Sequence, residues 1–83
     1  MDIILSRAAG KALRALPLRD AVALQDKLRQ FAAARHDSHG FAKAMTGGGV
    51  RIRHGDWRAT LVIHAAENVI FVTEIGHRRE IYR

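Results

Sequence analysis

Two arginine-rich stretches carry the residue types that do phosphate chemistry. "RIRHGDWR", residues 51–58, holds Arg51, Arg53, His54, Asp56, Trp57 and Arg58 in eight positions, and "IGHRREIYR", residues 75–83, adds His77, Arg78, Arg79, Tyr82 and Arg83. Arginine offers a planar fork of donors that grips phosphate bidentately and stays protonated. Histidine exchanges a proton near neutrality, and a tyrosine ring or guanidinium plane can carry a stacked base. These types together can clamp a nucleic-acid backbone and stabilise charge on a reacting phosphate. Lys and Arg total 14 against 8 acidic residues, a net charge of +6, and the excess is mostly arginine. A polyanionic partner fits this balance: RNA, DNA or an acidic protein. A generically solubilising basic surface is the alternative, and charge alone does not choose.

The elements flanking the first stretch fix where its arginines point. Gly55-Asp56 is a two-residue loop of the Gly-X kind, which predicts a type II′ hairpin turn. In that register His54 lies opposite Trp57, Arg53 opposite Arg58, Ile52 opposite Ala59 and Arg51 opposite Thr60. Opposed residues share a face and side chains alternate along a strand. Val50, Ile52, Ala59, Leu61 and Ile63 therefore face a core, with His54 on that side at the hairpin's end, while Arg51, Arg53, Arg58 and Thr60 face away. A like-charged pair directly across two strands costs roughly 0.2–1 kcal/mol. Sequences keep such a violation where function requires it, although arginines splayed over a solvated sheet face account for it too. Glu74 offsets the repulsion if it shares the open face, which requires an odd number of loop residues between the last two strands. Gly76 is expected to end the final strand, and His77 to Tyr82 to run along the edge of the open face.

The rest of the chain reads as the support for this face. Asp2–Leu5 is a short apolar strand, and Ser6 follows as a helix N-cap. Residues 7–16 place Leu13 and Leu16 on one side and Arg7, Lys11 and Arg14 on another. That basic row is a solvated helix face or a second contact with RNA or an acidic protein. Pro17 ends the first helix and opens a second over 18–35, where Ala21, Leu24, Leu28 and Phe31 recur at three and four. Almost no linker separates the two, so they form an antiparallel hairpin. Residues 35–49, "RHDSHGFAKAMTGGG", read as irregular and end in three glycines. Strands follow at Val50–His54, Trp57–His64 and Val69–Ile75. The expected architecture is α+β, in the order β-α-α-β-β-β, with a mostly antiparallel four-stranded sheet and a helix hairpin on one face.

Composition excludes several classes. Eighty-three residues make one small domain, residues 1–83. The chain has no cysteine, so neither disulfides nor thiolate metal sites are expected, which fits a reducing cytoplasm. Neither a signal peptide nor a membrane span is expected. His36, Asp37 and His39 have metal-capable side chains but no partner motif, so a polar turn is the expectation. "TGGGV" lacks the Gly-Lys-Ser/Thr of a phosphate-binding loop. Trp57 is expected to pack at a sheet end.

"VRIRHGDWRATLVI" followed by "IGHRREIYR" closely resembles the RelE/ParE superfamily of bacterial toxins from type II toxin–antitoxin pairs. The resemblance spans the chain, from first strand through a helix hairpin bearing "ALP" to the last strands, and its specific part is C-terminal. It implies a toxin that cleaves mRNA in the ribosomal A site, acts in the cytoplasm and is neutralised by a cognate antitoxin, with ribosome and mRNA as further partners. ParE-like members instead poison DNA gyrase, which is the alternative reading. The matching positions are Arg51, Arg53, Arg58, Arg78 and Tyr82; they imply catalytic roles for Arg58, Arg78 and Tyr82 and RNA contacts from Arg51 and Arg53, which the neighbouring Arg79 and Arg83 extend. Among the histidines, which titrate near neutrality, His77 is favoured as proton acceptor because His54 points to the core side. The implied chemistry is a metal-free transesterification, with no cofactor, that leaves a 2′,3′-cyclic phosphate. Two departures stand out. Some members have lysines at the positions of Arg51 and Arg53, and arginine is a poor general base; Tyr82, His77 and His54 are the remaining candidates. Some relatives also carry a C-terminal helix, which is not expected beyond Tyr82 here.

Overall fold

Ser6 sits where the chain first changes direction, and its hydroxyl serves both segments that meet there. With an extended backbone it accepts the Ala9 N–H at 3.0 Å, capping a helix, and donates to the Thr73 carbonyl at 2.9 Å. Such a cap contributes about 1 kcal/mol. The computed structural model describes residues 1–33 and 40–81. Strand β1 (Asp2–Leu5) leads through Ser6 into helix α1 (Arg7–Ala15), and helix α2 (Leu18–Ala33) follows at once. Then come β2 (Ala42–Ala44), β3 (Val50–His54), β4 (Trp57–His64), a 3₁₀ turn (Ala65–Glu67), β5 (Val69–His77) and the single helical turn α3 (Arg78–Ile81). The sheet order is β1-β5-β4-β3-β2, with β1 parallel to β5 and the other pairs antiparallel.

One core lies between the helix hairpin and one face of this sheet. Leu13 of α1, Leu16 at its C-cap and Leu24, Leu28 and Phe31 of α2 pack on Ile52, Ala59, Leu61, Ile70, Val72 and Ile75. Leu24, Ile52, Leu61, Ile70 and Val72 are fully buried, and each such side chain contributes about 1.5–3 kcal/mol. The spacing of apolar residues seen in the sequence is thus the spacing that meets the sheet.

Three expectations need correction. The sheet has five strands, not four, because Ala42–Ala44 pairs antiparallel with β3. Alanine and lysine are weak strand formers, so this strand exists through pairing with an otherwise open β3 edge. The three-glycine reversal makes that pairing possible, with Met45 and Gly49 closing it by a backbone bond at 3.1 Å. Second, β5 does not stop before Gly76; it runs to His77, because Arg58 and Trp57 still offer paired partners there. Third, the chain beyond it folds into α3 rather than running along the sheet edge. His36, Asp37 and His39, the end of the second helix at residues 34–35, and Tyr82 and Arg83 lie outside the described residues.

The β4–β5 register carries one irregularity. His64 pairs with Val69 and Leu61 with Val72, but Thr60 pairs with Glu74, so Thr73 is an extra residue on β5. A bulge of this kind shifts the side-chain alternation by one. Ile70, Val72 and Ile75 consequently all reach the core, and Glu74 faces the same side as Thr60. The connection between the strands has an even number of residues, so the bulge, not the loop, brings Glu74 to the open face.

Candidate nucleic-acid interface

The hairpin register read from the sequence is the observed one, pair for pair. Gly55 has φ +55° and Asp56 does not share the positive-φ region, as a type II′ turn requires. The face away from the helices then presents three rows across the strands. One row is Lys43, Arg51, Thr60 and Glu74. The next is Arg53, Arg58 and Gly76. The third, at the far end, is apolar: Val62, Phe71 and Ile4. The basic residues are thus gathered at the β2–β3–β4 end, and two like-charged pairs stand directly across strands, Lys43 with Arg51 and Arg53 with Arg58.

These arginines differ in setting. Arg53 is exposed and Arg51 half-buried. Arg58 is only 7% exposed, the one charged residue buried among the described residues. Its Nη1 donates to the Gly55 carbonyl at 2.6 Å and to the Trp57 carbonyl at 2.9 Å. Arg58 thus lies in the open-face row expected of it, and its guanidinium also braces the hairpin turn beside it.

The C-terminal turn is tied to the same hairpin. Arg78 N–H donates to the Asp56 carbonyl at 2.7 Å, and Arg78 Nε lies 3.8 Å from Asp56 Oδ1. A methyl group at Gly76 would stand 3.5 Å from Ile81 Cδ1, so α3 folds over the glycine that neighbours Arg58. Arg78 and Arg79 leave this turn exposed. The structure thus brings Arg58 and Arg78 to one end of the hairpin, with Asp56 between their backbones.

The two histidines stand elsewhere. His77 pairs with Trp57, which pairs with His54, so both fall in the helix-side alternation and not in the row of Arg53 and Arg58. The His77 Nδ1 accepts from Arg79 N–H at 3.2 Å, its Nε2 lies 4.0 Å from Asp56 Oδ2, and its ring meets Trp57 edge-on at 5.5 Å. The lone pair a general base needs is thus engaged in capping α3. His54 lies between two α2 side chains, Lys27 Nζ at 3.2 Å from Nδ1 and Asp20 Oδ1 at 3.2 Å from Nε2. An ammonium can only donate, so Nδ1 accepts and Nε2 carries the hydrogen toward Asp20. Lys27 also donates to the Arg53 carbonyl at 3.2 Å, which fastens α2 to the strand bearing the arginines.

Sequence reasoning missed Lys43. Its strand was read as irregular, so nothing placed a lysine opposite Arg51. The usable signal was the glycine triplet between "AKA" and "VRIR", a reversal that joins two segments of one sheet. Among the described residues, no group of three or more His, Cys, Asp or Glu side chains could hold a metal, and no helix is long and apolar enough to cross a membrane.

A helix hairpin on one face of a five-stranded sheet ordered β1-β5-β4-β3-β2 is a fold found among solved structures. The fold is that of RelE. The isolated E. coli RelE toxin superposes with TM-score 0.77 at 20% identity, over 98% of this chain and 89% of that one. A chain of the RelB–RelE antitoxin–toxin complex from Methanococcus jannaschii gives 0.75 at 17% identity, covering 95% and 94%. The archaeal RelE–RelB complex from Pyrococcus horikoshii OT3 gives 0.75 at 20%, covering 93% of each chain. No protein-family model and no curated protein matches the chain.

Proposed function

We propose that this chain is the toxin of a toxin–antitoxin pair, an endoribonuclease that inhibits translation by cutting mRNA on the ribosome and that a cognate antitoxin holds inactive. The observation that carries the reading is the pair of like-charged cross-strand contacts on the open face of a RelE fold. Like charges directly across two strands cost stability, and a polyanion laid over the face offsets that cost. Structural neighbours solved as RelB–RelE antitoxin–toxin complexes support an antitoxin partner. The neighbours named above are the isolated RelE toxin and chains of RelB–RelE complexes, which favours the nuclease over the gyrase-poison alternative.

In the proposed reaction the ribose 2′-oxygen attacks the adjacent phosphorus, the bond to the 5′-oxygen breaks, and a 2′,3′-cyclic phosphate and a 5′-hydroxyl result. Arg58 and Arg78, held at one end of the hairpin, stabilise the charge that builds on the non-bridging oxygens. Arg51, Arg53, Arg79 and Arg83 bind the RNA backbone. Tyr82 stacks on the nucleotide or assists proton transfer. His77 takes a positioning role, because its acceptor nitrogen holds α3 in place. The protein then works in the cytoplasm, where its substrate is.

The test is to add the purified chain to a translating extract and map mRNA 5′ ends, beside a gyrase supercoiling assay. Codon-phased cuts with unimpaired gyrase are expected. Intact mRNA with inhibited gyrase overturns the reading.

A further inference from the structure

The charge on the open face is graded across the sheet, and the gradient gives the substrate a direction. Resting on the reading above, we infer that Lys43, with Arg51 and Thr46, forms a second phosphate subsite on β2, and that the RNA strand leaves the scissile phosphate toward β2 and away from β5.

Four observations carry this. Lys43 is exposed and lies directly across from Arg51, so the two share the open face. No ion pair joins Lys43 to a carboxylate among the described residues. Lys43, Ala44, Met45, Thr46 and Arg51 line one surface groove, a concave seat with two cations and a hydroxyl donor. At the other end of the same row stands Glu74, which with Glu80 lines the groove beneath α3. A phosphate placed there would meet carboxylates.

The spacing suits a continuous strand. The row of Lys43 and Arg51 lies two residues along β3 from the row of Arg53 and Arg58, about 7 Å away. That is close to the backbone length of one nucleotide. One phosphate over Arg53 and Arg58 therefore puts a neighbouring phosphate over Arg51 and Lys43, one strand further toward the edge. The like-charged pair at Lys43–Arg51 is then explained as the Arg53–Arg58 pair is, by an anion that sits between its members.

The experiment uses ribosomes programmed with synthetic mRNAs in which one phosphate flanking the scissile position is a neutral methylphosphonate. Cleavage by the wild-type chain is compared with Lys43→Gln, Lys43→Arg and, as a control for charge elsewhere, Arg29→Gln on the outer surface of α2. On native mRNA, Lys43→Gln should lower kcat/KM about fivefold, the size of one contact at an exposed site. At one flanking position the neutral phosphate should slow the wild type by the same factor and slow Lys43→Gln no further, since the contact is already gone. Lys43→Arg should restore the wild-type pattern, and Arg29→Gln should cleave normally. Penalties that multiply at every flanking position overturn the inference, as does a Lys43→Gln chain that cleaves like wild type. Normal cleavage with weakened antitoxin binding likewise overturns it and assigns Lys43 to an acidic protein partner. A wild-type chain that leaves programmed mRNA intact overturns the nuclease reading as well, which separates the two failures.

Discussion

Replacing Arg58 by alanine should damage the fold and the chemistry together, whereas replacing Arg78 should damage the chemistry alone. Arg58 is almost wholly buried and gives two hydrogen bonds to hairpin carbonyls. A hydrogen bond from a charged donor contributes about 1.5–3 kcal/mol. Water reaches part of the exposed turn after truncation, and the repulsion against Arg53 is relieved by roughly 0.2–1 kcal/mol. The net loss is about 2–4 kcal/mol, from a total stability on the order of 4–12 kcal/mol for a domain of this length. At roughly 4–8 °C per kcal/mol, the melting temperature should fall by about 8–30 °C. Arg78 is 55% exposed and lies 3.8 Å from an Asp56 that is 65% exposed, a pairing that contributes at most about 1 kcal/mol. Its alanine variant should melt within a few degrees of wild type. Both variants should lose at least about tenfold in cleavage, the effect of removing a transition-state charge stabiliser. Circular dichroism melts, followed by single-turnover cleavage at a temperature where each variant is folded, separate the contributions. Equal melting temperatures for the two variants would refute the argument from Arg58 burial, and retained cleavage in both would refute the clamp.

Three further outcomes are expected. Asp56→Ala keeps the Asp56 carbonyl on Arg78 N–H but removes the carboxylate beside Arg78 and His77; cleavage should fall severalfold with a melting shift under about 1 kcal/mol, and Asp56→Glu should recover part of it. Gly49 has φ +86°, and a Cβ there would stand 3.0 Å from the Leu61 carbonyl oxygen, so Gly49→Ala should cost about 1–3 kcal/mol in urea unfolding and speed amide exchange in β2. His54→Ala cuts the ties to Asp20 and Lys27 and should lower stability by about 1–2 kcal/mol, while His77→Ala loosens α3; in neither folded variant should the pH–rate profile change shape, and loss of a limb in either would make that histidine the proton acceptor.

The parts of the fold legible in the sequence are those that local rules determine. The bounds of β1, β3 and β4 were readable, and so was the hairpin register, because a two-residue Gly-Asp loop leaves the pairing no freedom. The helix hairpin was readable from Leu13, Leu16, Leu24, Leu28 and Phe31, and Trp57 packs against the core at a sheet end as expected. What escaped depends on tertiary context. β2 has the composition of a loop and becomes a strand only beside β3. α3 forms because Asp56 and His77 supply partners to its first N–H groups. The burial of Arg58 follows from two carbonyls in its own turn and a glycine across the ladder, none of which alternation alone reveals. Of the candidate site, the arginine face was legible residue by residue, but its edge at Lys43 and the helix-side setting of His77 were not.

The bulge at Thr73 connects these legible and hidden parts. Strict alternation from Ile70 and Val72 would send Glu74 and Gly76 toward the helices and turn Ile75 out to solvent. One extra residue reverses that parity midway along β5, so Ile75 joins the core while Glu74 and Gly76 join the open face. The irregularity is held from both sides: Thr73 Oγ1 donates to the Thr60 carbonyl at 3.1 Å, and the Ser6 hydroxyl that caps α1 donates to the Thr73 carbonyl. Gly76 can then lie flat beside Arg58, Ile81 can fold over it, and Arg78 reaches the hairpin end. The acidic limit of the open face at Glu74 and the docking of Arg78 therefore share one cause, a single displaced residue held by the hydroxyl that caps α1.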